Sequence, residues 1–334
     1  MELLQLTPEG LYCPLGDFYI DPWKDVKRAV ITHGHGDHAR YGLAVEEYIA
    51  ATKSKSILEK RLGDVKLTTY PYGEVFSMGE VEVSLHPAGH ILGSAQVRIQ
   101  YQDQVWVFTG DFKRDADLTC EPFEVVPCNV FISEATFSLP VYHWPDFMLE
   151  VKDVHDWWMK NKEEGLNSVL CCYALGKAQR LIAGLRELTN DTLWVHGTID
   201  EINHCYEKTG LTWENIKRVP LAEEGKTQKL KGQLILCPPS ALGTSWAKRL
   251  TPKKVAFASG WMRLRGNRRR KGYERGFIVS DHADWPSLLR TVKETGCQKV
   301  YFTHGNTDTI VKYLKEQGIK AYDMKLPYDA EGDS

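Results

Sequence analysis

The segment Thr32-His33-Gly34-His35-Gly36-Asp37-His38 decides how the rest of the chain is read. It follows Ala29-Val30-Ile31, an apolar run that reads as a strand. Three imidazoles and a carboxylate fall within the six residues from His33 to His38. Neither the helical nor the strand period places all four of them on one face. The segment therefore reads as a loop that turns its side chains inward around something small and positive. Histidine nitrogen and carboxylate oxygen are ligands for zinc and its neighbours in the transition series. Gly34 and Gly36 permit close backbone approach between the donors.

Further candidates each stand just beyond an apolar run, where a rigid sheet can hold a side chain in place. Asp21 ends Phe18-Tyr19-Ile20-Asp21, His90 lies in Pro87-Ala88-Gly89-His90, and Asp111 follows Val105-Trp106-Val107-Phe108. Glu134 follows Val130-Phe131-Ile132, His282 lies in Val279-Ser280-Asp281-His282, and His304 follows Val300-Tyr301-Phe302-Thr303.

The order His-x-His-x-Asp-His, followed by His90, Asp111 and His304, resembles the metallo-β-lactamase superfamily. The resemblance implies an αββα sandwich and two divalent metal ions, zinc or manganese. It assigns His33, His35 and His90 to one ion, and Asp37, His38 and His304 to the other. Asp111 would bridge them, and Asp21 would support the loop. Glu134, His282 and His304 are similar to the three extra motifs of the β-CASP subgroup, and Tyr173-Ala174-Leu175-Gly176-Lys177-Ala178-Gln179 resembles its strand-to-helix turn. β-CASP proteins are nucleases, so the resemblance implies a catalytic group of His282, Glu134, Asp111 and Asp37. His282 would be the general acid, oriented by Glu134. Chain size, a short cap and Cys237-Pro238-Pro239-Ser240-Ala241-Leu242-Gly243-Thr244 look most like bacterial ligase-associated DNA exonucleases. DNA is thus expected over RNA as the nucleic-acid partner, with a DNA ligase or helicase as a functional associate. Three competing readings are a β-CASP ribonuclease, a small-molecule hydrolase of the lactamase fold, and a non-catalytic subunit. Retention of every expected ligand argues against the last.

The layout predicts an interrupted domain. Residues 1–142 hold short strand-like runs and few helical patterns, and residues 277–334 return to strand–helix units. Between them, 143–276 alternate apolar strands with helices, which predicts a small parallel α/β cap. There Ala178, Leu181, Ile182, Leu185 and Leu188 share one helical face, and Leu234-Ile235-Leu236-Cys237 precedes another helical stretch. Asp284 reads as a helix cap, with Pro286 in the first turn and Gly296 past the end.

Net charge is only −2, so any affinity for a polyanion must be local. Arg263, Arg265, Arg268, Arg269, Arg270 and Lys271 form a basic run that leads toward His282 and suits a phosphate backbone. Ser240, Gly243, Thr244 and Ser245 lie between a strand and a helical stretch, where free N–H groups can receive a terminal phosphate. No apolar run is long enough for a bilayer. The start lacks the basic and apolar regions of a secretory signal, and the scattered cysteines suit buried thiols. A cytoplasmic protein with no membrane partner is expected.

Overall fold

The structure is a computed structural model that describes residues 2–220, 230–264 and 273–324; element counts refer to these. The chain has an α/β fold and divides into two units: Met1–His143 with Asp281–Ser334, and Trp144–Ser280.

Two sheets form the first unit. One joins β1 (Gln5–Leu6), β2 (Leu11–Cys13), β3 (Phe18–Ile20), β4 (Val26–Val30), β5 (Val45–Ala51) and β6 (Leu67–Tyr70) in sequential order. The other joins β7 (Val75–Met78), β8 (Val81–Pro87), β9 (Ala95–Tyr101), β10 (Gln104–Phe108), β11 (Val130–Glu134), β18 (Lys299–Thr303) and β19 (Lys320–Asp323), ordered β19-β18-β11-β10-β9-β8-β7. The inner faces meet in one core, where Leu11, Phe18, Ile20 and Val30 pack with Val83, Val97, Trp106 and Ile132. Alternation along each strand leaves a second apolar set facing outward. Helix α1 (Lys55–Leu62) covers that face of the first sheet through Leu58 and Leu62. Helices α6 (Trp285–Glu294) and α7 (Asp308–Glu316) cover the second through Leu288, Val292, Ile310 and Leu314. The layering is therefore helix, sheet, sheet, helix. Asp284 caps α6 by accepting from Ser287 N, and Gly296 follows with a positive φ of 65°; such a cap contributes roughly 1 kcal/mol.

The second unit holds a sheet ordered β14-β13-β15-β12-β16-β17, in which every pairing is parallel. Its strands are β12 (Asn167–Cys171), β13 (Leu193–Val195), β14 (Ile216–Arg218), β15 (Leu234–Cys237), β16 (Lys253–Ala258) and β17 (Arg275–Phe277). Helices α2 (Phe147–Glu163), α3 (Lys177–Arg186) and α4 (Gly197–Glu207) cover one face. Leu250, Met262 and Trp246 pack on the other, as a parallel sheet buried on both sides requires.

Three details depart from the sequence reading. Leu188 does not join the buried face of α3: it lies beyond the helix end and is 40% exposed. The stretch after β15 is a single 3-10 turn, Pro239–Ala241, followed by the four-residue α5 (Ser245–Lys248). The break expected at residue 276 moves to 280, because β17 pairs with β16 and holds the chain in the second unit. No helix among the described residues is long and apolar enough to cross a membrane.

Candidate metal centre

The donors converge in the first unit at the C-terminal ends of β4, β10, β11 and β18. Asp111 is the hub. Its Oδ2 lies 3.5 Å from His33 Nε2, 3.5 Å from His38 Nε2, 3.7 Å from His90 Nε2 and 4.0 Å from His282 Nδ1. Gly110, with φ of 54°, brings the chain round so that Asp111 points inward; a Cβ there would stand 2.7 Å from Thr32 Cβ and Oγ1.

The outer hydrogen bonds fix which nitrogen of each ring faces the centre. Asp21 accepts from Thr32 N at 2.8 Å, Thr32 Oγ1 at 2.6 Å and His38 Nδ1 at 2.7 Å. The Thr32 hydroxyl has spent its proton on Asp21, so at 3.0 Å it accepts from His33 Nδ1. His90 Nδ1 donates to the Asp281 carbonyl at 2.7 Å. With Nδ1 protonated in each ring, the Nε2 atoms of neutral His33 and His90 carry lone pairs. Both point at His35 Nδ1, at 3.1 and 3.0 Å. That nitrogen can donate to only one of them. Three nitrogens and a carboxylate oxygen so placed suit a cation, and His33, His35, His90 and Asp111 form a set able to hold a metal ion. Burial depresses His33 well below the ordinary imidazole range, with the neighbouring His38 adding to it; burial and His282 lower His90 to about 3. Both rings are neutral, the state a ligand needs.

The second expected set is looser. His38 Nε2 faces Asp111 at 3.5 Å and Asp37 Oδ2 at 3.7 Å, and the His38 ring stacks on His304 at 5.5 Å. Burial opposes a charge on His38, yet Asp111, Asp37 and Asp21 raise it well above the ordinary range. Carboxylates flanking a nitrogen whose other proton is committed to Asp21 require a cation between them, a proton or a metal. Thr303 repeats the role of Thr32: its Oγ1 donates to Ser133 O at 3.3 Å and accepts from His304 Nδ1 at 3.0 Å. Asp37 is exposed at the mouth of the site, while His33, His38 and His90 are buried.

Behind Asp111 stands a buried pair. Glu134 Oε1 accepts from Phe112 N at 2.7 Å, and Oε2 accepts from His282 Nδ1 at 2.9 Å. Burial disfavours the imidazolium, but Glu134 and Asp111 raise His282 to about 10. Asp111, Glu134 and His282 also lie close enough to share an ion. The hydrogen bond within the pair identifies Glu134 instead as the group that positions the ring.

Of the other expected residues, Arg263 is exposed at the end of a 3-10 turn, while Arg265, Arg268, Arg269, Arg270 and Lys271 lie outside the described residues. Ser240, Gly243, Thr244 and Ser245 are exposed. Thr244 Oγ1 donates to Ala241 O at 2.7 Å, and α5 has only four residues. The helix expected to supply a dipole for a terminal phosphate is therefore missing, because a single turn aligns too few peptides. Thr32, Thr303 and the Asp281 carbonyl escaped the sequence reading. A threonine directly before each of His33 and His304 was the visible signal for two of them.

No family model matches the chain. A protein from Opitutus terrae named Probable DNA ligase is 28% identical over 316 residues, covering 94% of this chain and 30% of that protein. The chain thus spans less than a third of the length of that relative. It is also similar to the crystal structure of a protein of unknown function from Enterococcus faecalis V583, with a TM-score of 0.57 at 15% identity, over 90% of this chain and 79% of that one. That likeness concerns the fold alone.

Proposed function

We propose that the chain is a two-metal phosphodiesterase of the metallo-β-lactamase type with a β-CASP cap in 144–280, acting as a DNA exonuclease. The observation that carries this reading is the arrangement around Asp111: one oxygen within 4.0 Å of four imidazoles, with the Glu134–His282 pair behind it. His33, His35 and His90 would hold one divalent ion, zinc or manganese, and Asp37, His38 and His304 the other, with Asp111 between. Ions bound there supply an activated water at neutral pH and offset charge on phosphoryl oxygens. The chain's own part begins with Asp21, Thr32 and Thr303, which keep the proximal nitrogens protonated and the distal ones turned inward. Glu134 holds His282 as an imidazolium. With Nδ1 committed to Glu134, His282 Nε2 is left to protonate the leaving sugar oxygen. No covalent intermediate is required.

The choice of DNA rests on the Opitutus terrae relative, which is named Probable DNA ligase and of which 30% matches 94% of this chain. A ligase or helicase is the proposed associate. The deciding experiment uses metal-loaded protein and matched DNA and RNA single strands labelled at the 3′ end, with and without a 5′-phosphate. Stepwise shortening of DNA is the expected result, with the 5′-phosphate arm reporting whether the end is read. Preferential cutting of RNA, or internal cuts that ignore the end, would overturn the exonuclease reading.

A further inference from the structure

The strands that deliver Asp111, Glu134 and His304 at their C-terminal ends also frame a cavity of about 320 Å³ at their opposite ends. Gln104 opens β10, Val130 opens β11, Lys299 opens β18 and Lys320 opens β19, and all four line it. His304 lies five residues along the chain from Lys299, the first residue of β18, roughly 16 Å at the usual rise. Within the first unit, the cavity is thus remote from the metal centre.

Its lining is rich in donors. Lys299 and Lys320 stand directly opposite each other in the parallel β18–β19 ladder. Like charges so placed repel. Neither has a carboxylate partner among the described residues; Lys299 Nζ lies only over the rings of Tyr301 and Tyr322, at 5.7 and 5.9 Å. Trp106 forms part of the wall and is 3% exposed, and its indole N–H has no acceptor among the described residues. Asn129 uses Oδ1 to accept from Val105 N at 2.7 Å, which leaves its amide hydrogens as donors. Glu2 also lines the cavity but pairs with neither lysine among the described residues.

We propose that this cavity is a binding site for a small oxyanion of charge −2, a phosphate or a dicarboxylate, held between Lys299 and Lys320 beside Trp106. An anion between the ammonium groups removes their repulsion and forms charge-assisted hydrogen bonds. The site is independent of the phosphodiesterase reading.

The test is fluorine NMR of the full chain carrying 5-fluorotryptophan, with the Trp106 resonance assigned by Trp106→Phe. Inorganic phosphate and succinate are titrated separately, with chloride at matched ionic strength as the control. A saturable shift of the Trp106 signal with one or both anions is expected, and which anion saturates at lower concentration identifies the source. Lys299→Gln/Lys320→Gln should weaken binding about tenfold or more, that is by about 1.4 kcal/mol. Circular dichroism and metal content of that variant should match the parent. A shift that never saturates, that chloride reproduces, or that survives the double substitution would overturn the proposal, leaving a cavity that holds water only.

Discussion

His90 donates its Nδ1 proton to the backbone carbonyl of Asp281 across 2.7 Å, although the two residues are 191 apart in sequence. A backbone acceptor cannot be removed by changing a side chain, so the ring of His90 is oriented by the path of the chain itself. His282 follows in the next position, and its ring lies 4.7 Å from that of His90. The return of the chain from the second unit therefore orients a candidate metal ligand and delivers the proposed acid in one step.

Asp21 touches no candidate ion, yet it accepts three hydrogen bonds that set the rings of His33 and His38. Asp21→Asn turns one acceptor into a donor that faces either the Thr32 backbone N–H or both the Thr32 hydroxyl and His38 Nδ1. Metal affinity should fall about 10–100-fold, the usual effect of losing an outer-sphere partner. Chelator competition, followed by elemental analysis of the bound metal, measures this directly; unchanged affinity would remove Asp21 from the metal-supporting role.

Glu134 and His282 should behave as one unit. His282→Ala and Glu134→Gln are each expected to keep the metal content of the parent and to lower turnover about 10²–10⁴-fold. Because both act through the same proton, the double variant should be little slower than His282→Ala alone. Fully additive losses in single-turnover rates would separate the two residues and refute the pairing.

Gly110 tests whether the centre depends on Thr32. An alanine there must adopt a left-handed conformation, at a cost of about 1–2 kcal/mol. Its Cβ would press on the Thr32 side chain at 2.7 Å. Gly110→Ala should weaken metal binding about tenfold or more, with far-ultraviolet circular dichroism preserved. If thermal stability falls while metal affinity holds, Thr32 does not position His33.

In the second unit, Glu150 is half-buried, and its Oε2 accepts from Ile278 N at 2.8 Å. Burial raises its carboxyl above the ordinary range, partly offset by that hydrogen bond. A carboxyl raised on folding favours the folded state while protonated, and that contribution is lost as pH rises through the folded value. Glu150→Gln keeps an acceptor and abolishes the charge. Its thermal midpoint should match the parent in acid and exceed it near neutrality, by up to about 3 °C. A midpoint difference that does not vary with pH would exclude ionisation as the cause.

Much of this site was legible because its donors sit at the ends of apolar strands, where periodicity stops and chemistry begins. His33, His90, Asp111 and His304 could each be placed beyond a strand from one short run of sequence. What could not be read depends on tertiary contact. Nothing local distinguishes the carbonyl of Asp281 from any other, and the exposure of Leu188 follows from α3 ending before its next turn. The pairing of β17 with β16 likewise joins segments whose sequences carry no sign of each other. Ser245 looked like the start of a longer helix because a strand preceded it, but the chain turns back into β16 after a single turn.

The interruption of the first unit by the second has a consequence for the order in which the centre can be made. A polypeptide made as far as residue 143 already carries His33, His35, Asp37, His38, His90, Asp111 and Glu134. It has neither the carbonyl that orients His90 nor His282 or His304, which arrive only after the whole intervening unit has been synthesised. On the phosphodiesterase reading, such a partly made chain would hold most of the expected metal ligands without the proposed acid, so hydrolytic competence would wait until His282 and His304 have been added.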